Sequence, residues 1–208
     1  MSGKPDDASA GKPPQGAGAS SQDFQHSQVS ARVPEKVGRG ILSTGVMVLQ
    51  CAHEFVLDFV QGMVQPRQVA ARVVLPPSFI PHLLGALRDN LTSYQTQFGP
   101  PPSLRQPDTA TPPAPIDEIY DQFKLPDDML AGVYANGAMI VHTQSEFCLD
   151  FIANFYPRAA VAARVFLSAA QVPPLLNSLT QSFQQYQQKI AAQGGKPPEL
   201  LPPARPPG

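Results

Sequence analysis

The sequence predicts an α+β protein built from two copies of one strand-then-helix unit, and three observations carry that reading. A shift of 92 lays residues 33–98 over 125–190 without a gap, with 21 identities in 66 positions. Within each copy the apolar period changes from two to about 3.6. The 25 prolines concentrate in residues 1–34, 100–115 and 197–207, stretches poor in large apolar side chains. Such stretches bury too little to offset an ordering entropy of about 1–2 kcal/mol per residue. The expected organisation is therefore a disordered tail over 1–32, a first repeat over 33–99, a proline-rich linker over 100–115, a second repeat over 116–192 and a disordered tail over 193–208.

The elements follow in order. Residues 46–51 and 54–60 read as strands, because Phe55, Leu57 and Phe59 alternate with Glu54, Val56 and Asp58. Residues 68–75 form a third, with Val69, Ala71, Val73 and Leu75 on one face. From about residue 80 the period is helical: Ile80, Leu83, Leu84, Leu87, Leu91, Tyr94 and Phe98 make one stripe, ended by Gly99-Pro100. Ser78 is the expected N-cap, which puts Pro81 in the first turn. In the second copy Val172, Leu175, Leu176, Leu179, Phe183, Tyr186 and Ile190 repeat the stripe, and Pro173-Pro174 set its start near Gln171. Each copy is thus expected to be a three-stranded antiparallel meander whose own helix covers its apolar face. A unit of about 65 residues is marginal alone. Two copies related by a pseudo-twofold, packed as an intrachain pseudo-dimer, supply an ordinary core. Residues 116–123, with Ile116, Ile119, Tyr120 and Phe123 at helical spacing, are expected to pack on the second copy, or to serve as a recognition segment.

The strand pattern also gives a register. Asp58 opposite Arg72 puts Leu57 against Val73 and Phe55 against Leu75, and the same pairing sets Asp150 opposite Arg164. These Asp/Arg pairs are read first as cross-strand ion pairs that fix register, and second as a ligand or partner site. Glu54 and Glu146 stand four residues before Asp58 and Asp150. That is roughly 13 Å along a strand, too far for a general acid/base pair.

No catalytic, cofactor or metal signature is present, and none is expected. His53 has no second histidine at metal-ligand spacing, and His53 and His142 are read as solvated turn residues. Cys51 and Cys148 fall at non-equivalent positions and are read as reduced thiols inside sheets. Net charge is −1, from 15 Lys+Arg against 16 Asp+Glu, so the basic patch of a nucleic-acid binder is not expected. No apolar run reaches the roughly 20 residues of a membrane helix, and no secretory h-region opens the chain. A cytoplasmic, non-membrane protein is expected.

The Glu-Phe-x-x-Asp-Phe run (Glu54 to Phe59, Glu146 to Phe151), the Arg-Val-x-Leu strand ends, Asn136, and the helix residues Leu84, Leu87, Asn90, Tyr94, Phe98 and Gly99 carry a resemblance. In these the chain resembles the prokaryotic family named domain of unknown function 3467, whose members are typically short and single-copy. It covers both copies and neither tail. The chain departs from the pattern in being duplicated, in Pro81, Pro173 and Pro174, and in carrying Ser43-Thr44 where the second copy has Ala135-Asn136. The resemblance implies a fold unit and a prokaryotic origin, and no reaction.

The function expected is a non-enzymatic binding or assembly module with a protein partner, able to self-associate through sheet edges. The alternatives are a nucleic-acid-associated regulator that mimics a symmetric dimer, and a small-molecule binder that uses the Asp/Arg pairs.

Overall fold

A computed structural model describes residues 31–104, 116–155 and 158–194. The tails and linker expected at 1–32, 100–115 and 193–208 fall outside these for residues 1–30, 105–115 and 195–208. Arg32 is an exception to the expected tail boundary, because it bridges Ala160 in parallel.

The chain is α+β with mixed sheets. In order it runs α1 (Glu35–Gly38), β1 (Ile41–Ser43), β2 (Gly45–Gln50), β3 (Phe55–Gln61), β4 (Arg67–Leu75) and α2 (Ile80–Phe98). Then come α3 (Ile116–Asp121), β5 (Phe123–Lys124), β6 (Val133–Tyr134), β7 (Gly137–His142), β8 (Glu146–Ala153), β9 (Ala160–Ser168) and α4 (Val172–Ala192). Strands β2, β3 and β4 pair antiparallel, as do β7, β8 and β9. Both long strand pairs shift register once, at Phe59/Val60 and at Phe151/Ile152. These are positions 92 apart.

Neither sheet stops at three strands. β1 adds in parallel to β9, and β5 and β6 add in parallel to β4, giving sheets of four and five strands. The added strands are arms that cross from the other half. They satisfy open sheet edges that the bare meanders would leave unpaired.

The helices cross as well, which corrects the expectation that each covers its own sheet. Helix α2 lies along β7 and α4 lies along β2, and the two helices touch. Tyr94 on α2 donates its hydroxyl to the Gln144 carbonyl (2.8 Å), and its ring packs on His142 and Phe147. Phe55 on β3 packs on Phe183 and Tyr186 of α4. Phe59 meets Phe151 between the sheets. A single cluster of buried residues runs through both halves. Each fully buried Phe or Leu in it contributes about 1.5–3 kcal/mol, and the total belongs to neither half alone.

Smaller expectations also change. A short 3-10 turn, Pro77–Phe79, precedes α2, whose N-cap is Phe79, so Ser78 is not the cap. His142 is no solvated turn residue: it sits on β7 among Tyr94, Phe98 and Phe147. Cys51 is exposed just past β2 rather than inside a sheet, and Cys148 is half-buried on β8. Both are free thiols.

Candidate functional site

The Asp/Arg pairs lie on the strand faces opposite the Phe/Leu core. Arg72 donates Nε to Asp58 Oδ1 (2.8 Å) and Nη2 to Oδ2 (2.7 Å). Arg164 repeats the fork on Asp150, at 2.7 Å for both bonds. Asp58 is wholly buried and Asp150 nearly so. A lone carboxylate there would be costly, and bidentate guanidinium pairing is what makes it tenable. The hydrogen bonds to aspartate hold both guanidinium pKa values above the ordinary arginine value.

Each arginine has a third bond that ties the halves together. Arg72 Nη1 donates to the Leu130 carbonyl (3.2 Å), and Arg164 Nη1 donates to the Gly38 carbonyl (3.3 Å). Leu130 and Gly38 are 92 apart, and each belongs to the arm that arrives from the other half. Next to each stands a glycine with positive φ, Gly40 at 66° and Gly132 at 65°. A Cβ on Gly40 would fall 2.3 Å from a Phe166 ring carbon, and one on Gly132 would fall 2.7 Å from Arg72 Cγ. Only glycine allows the arm this close.

The two pairs are not dressed alike. The Tyr120 hydroxyl from α3 donates a short hydrogen bond to Asp58 Oδ2, and the Arg72 guanidinium lies 6.0 Å from the Tyr120 ring centre. Burial first, and the Asp58 carboxylate second, raise the Tyr120 phenol well above its ordinary value. Through Tyr120 this segment therefore reaches the first copy's Asp58, a contact that the expected packing on the second copy did not include. At Asp150 the neighbour is the Cys148 thiol, 3.8 Å from Oδ1. Burial, then the Asp150 charge, raises that thiol. Glu54 and Glu146 are exposed beside the hairpin turns and do not join the aspartates.

A cleft of about 160 Å³ opens between the arms. Its lining falls into pairs 92 residues apart: Lys36 with Asp128, Val37 with Met129, Gly40 with Gly132, Ile41 with Val133, Ala70 with Ala162, Ala71 with Ala163, and Arg72 with Arg164. The walls are mostly apolar, and Lys36 opposite Asp128 is the one place where the pairing reverses charge. Sequence reasoning missed this cleft because no single segment encodes it.

Among the described residues, no cluster of His, Cys, Asp or Glu could hold a metal, and no helix is long and apolar enough to cross a membrane. A family model described as "Protein of unknown function (DUF3467)" matches residues 4–119 and, a second time, residues 105–192. No curated protein and no solved structure matches the chain.

Proposed function

The chain belongs to the DUF3467 family in two tandem copies, and from that premise we propose that it is a non-enzymatic protein-binding or assembly module. In this reading it is a homodimer fused into one chain, with a pseudo-twofold passing between the arms. The observation that carries the reading is an apolar row across the outer face of the four-stranded sheet. Val141 stands beside Cys148, Cys148 beside Phe166, and Phe166 beside Leu42. Met139 and Val141 on the edge strand β7 are 52% and 56% exposed. Contiguous apolar surface of this kind marks an interaction face, and an open edge strand offers backbone donors and acceptors to a partner. The shared charged residues support a non-catalytic reading, since Asp58, Arg72, Asp150 and Arg164 are all engaged in holding strands and arms.

The test is affinity capture with the full chain and with its Leu42→Lys/Val141→Lys variant. The account expects the same unfolding free energy within about 0.5 kcal/mol, and a partner retained by the wild type but lost by the variant. Retention of the same proteins by the variant, or of none by the wild type, would sink the reading.

The small-molecule reading has one observation in its favour, the cleft lined by both arginines. At about 160 Å³ it is smaller than the roughly 300–1,000 Å³ of most ligand pockets, so it suits only a compact, largely apolar ligand. Ligand-observed NMR on the full chain and on Ala162→Leu, which fills the floor, separates the readings: small-molecule binding that survives in the filled variant is not at this cleft.

A further inference from the structure

A second concavity, a shallow groove of about 350 Å³, opens where the end of β4, the start of α2 and β6 meet. Pro76, Phe79, His82 and Tyr134 line it, with Ser78 and Asn136 as polar edges. The His82 ring is stacked on Phe79 (6.4 Å, 16°), and Tyr134 is stacked on Phe155 (5.6 Å, 19°). Phe155 is 55% exposed and Tyr134 41%. These rings are held in place. Asn136 Oδ1 accepts from the Asn154 amide (2.7 Å) and Asn136 Nδ2 donates to the Asn154 carbonyl (3.3 Å), which pins the turn that carries Phe155. Phe79 packs partly on the core, but burial in the fold does not explain the fixed, solvent-facing rings of Tyr134 and Phe155.

Aromatic-lined grooves with hydroxyl donors recognise polyproline segments. The proline rings pack on the aromatic faces, and the backbone carbonyls, unpaired within that helix, accept from the hydroxyls. The chain carries such a segment. Residues 195–208 contain Pro197, Pro198, Pro202, Pro203, Pro206 and Pro207, with the spacing Pro203-Ala204-Arg205-Pro206.

The geometry of the chain end fits as well. Lys189, in the last turn of α4, reaches Gln50 (3.4 Å). Gln50 pairs with Phe55, and Phe55 with Leu75, the residue before Pro76. So α4 ends at the same end of the sheet as the groove, two strand spacings or about 10 Å away from β4. If extended as polyproline II, the 14 residues that follow Gly194 would reach about 40 Å, more than the crossing needs.

We infer that this groove is a polyproline docking site and that its occupant is the chain's own carboxy-terminal segment, residues 197–207. The segment lies across Tyr134 and Phe155 of the same molecule.

The chain has no tryptophan, so Phe155→Trp in the full chain places a single reporter beside the groove, stacked on Tyr134. The inference expects this tryptophan to be shielded from acrylamide, independently of protein concentration. Replacing Pro202, Pro203, Pro206 and Pro207 with Ser should remove the shielding without moving the thermal transition. A synthetic peptide of residues 196–208 should then restore it saturably, and Tyr134→Ala should abolish that restoration. Equal quenching with the proline and serine tails overturns the inference. So does shielding that rises with protein concentration, which would assign the groove to the tail of a second copy, or a peptide that restores nothing.

Discussion

The groove and its counterpart in the other copy share a skeleton and differ in surface. Asn136 binds the Asn154 amide, and 92 residues earlier Thr44 Oγ1 accepts from the Gly62 amide at 2.9 Å. Beyond that bond the two places part. Tyr134, Phe79, His82 and Phe155 stand where the first copy has Leu42 and Met63 and the second has Gln171 and Pro174. On that side Gln171 Nε2 donates to the Thr44 carbonyl at 2.7 Å, in place of an open aromatic groove. Residues identical between the copies, by contrast, build the interlock: Asp58 and Asp150, Arg72 and Arg164, Gly40 and Gly132. The identical residues named here serve the scaffold, and the divergent ones surround the groove.

The largest expected effect comes from breaking an identical pair. Arg72→Ala leaves Asp58 buried without its cation and should cost about 3–5 kcal/mol in urea unfolding. Arg164→Ala should cost nearly as much, slightly less because its side chain is more exposed (24% against 16%). A cost below 1 kcal/mol for either would show that the pairs are ornamental. Next come the glycines that admit the arms. Gly40→Ala and Gly132→Ala combine positive φ with a blocked Cβ, and each should lower stability by about 1–3 kcal/mol, read from the denaturant midpoint.

A smaller effect sharpens the asymmetry between the copies. Tyr120→Phe removes the hydrogen bond to Asp58 and should cost about 1 kcal/mol at neutral pH. It should also change the alkaline limb. The folded phenol titrates above the unfolded value of about 10. Its contribution is therefore complete below that pH and is lost as pH rises toward the folded value. Unfolding free energies at pH 8, 10 and 11 (approximate set points) should fall less steeply for Tyr120→Phe. The Cys148 thiol, raised in the same sense, keeps a residual slope from somewhat lower pH in both proteins. Smallest are the divergent surface positions. Phe155→Ala and Met63→Ala should each stay within about 0.5 kcal/mol of wild type in thermal unfolding, whatever the first does to binding.

Much of the fold was legible in the sequence because periodicity is local. The alternation in Phe55, Leu57 and Phe59 and the stripe from Ile80 to Tyr94 each follow from the spacing of apolar side chains. The opposition of Asp58 and Arg72 followed from keeping those faces aligned. Periodicity names the apolar face of an element but not the surface it meets, so the exchange of α2 and α4 was not readable. The arm strands were invisible for a related reason: β1, β5 and β6 have three residues or two, too few to alternate. The cleft and the groove draw on residues far apart in the chain, and none of Tyr134, Phe155 and Phe79 signals the groove alone.

The interlock is tested most directly by native-state hydrogen exchange on the full chain and on Leu57→Ala, a change at a wholly buried residue of β3. Truncation there should cost about 2–5 kcal/mol. If the halves share one core, the most protected amides of β8 and β9 lose the same free energy as those of β3 and β4. Loss confined to β3 and β4, with β8 and β9 unchanged, would contradict the account and make the copies independent domains.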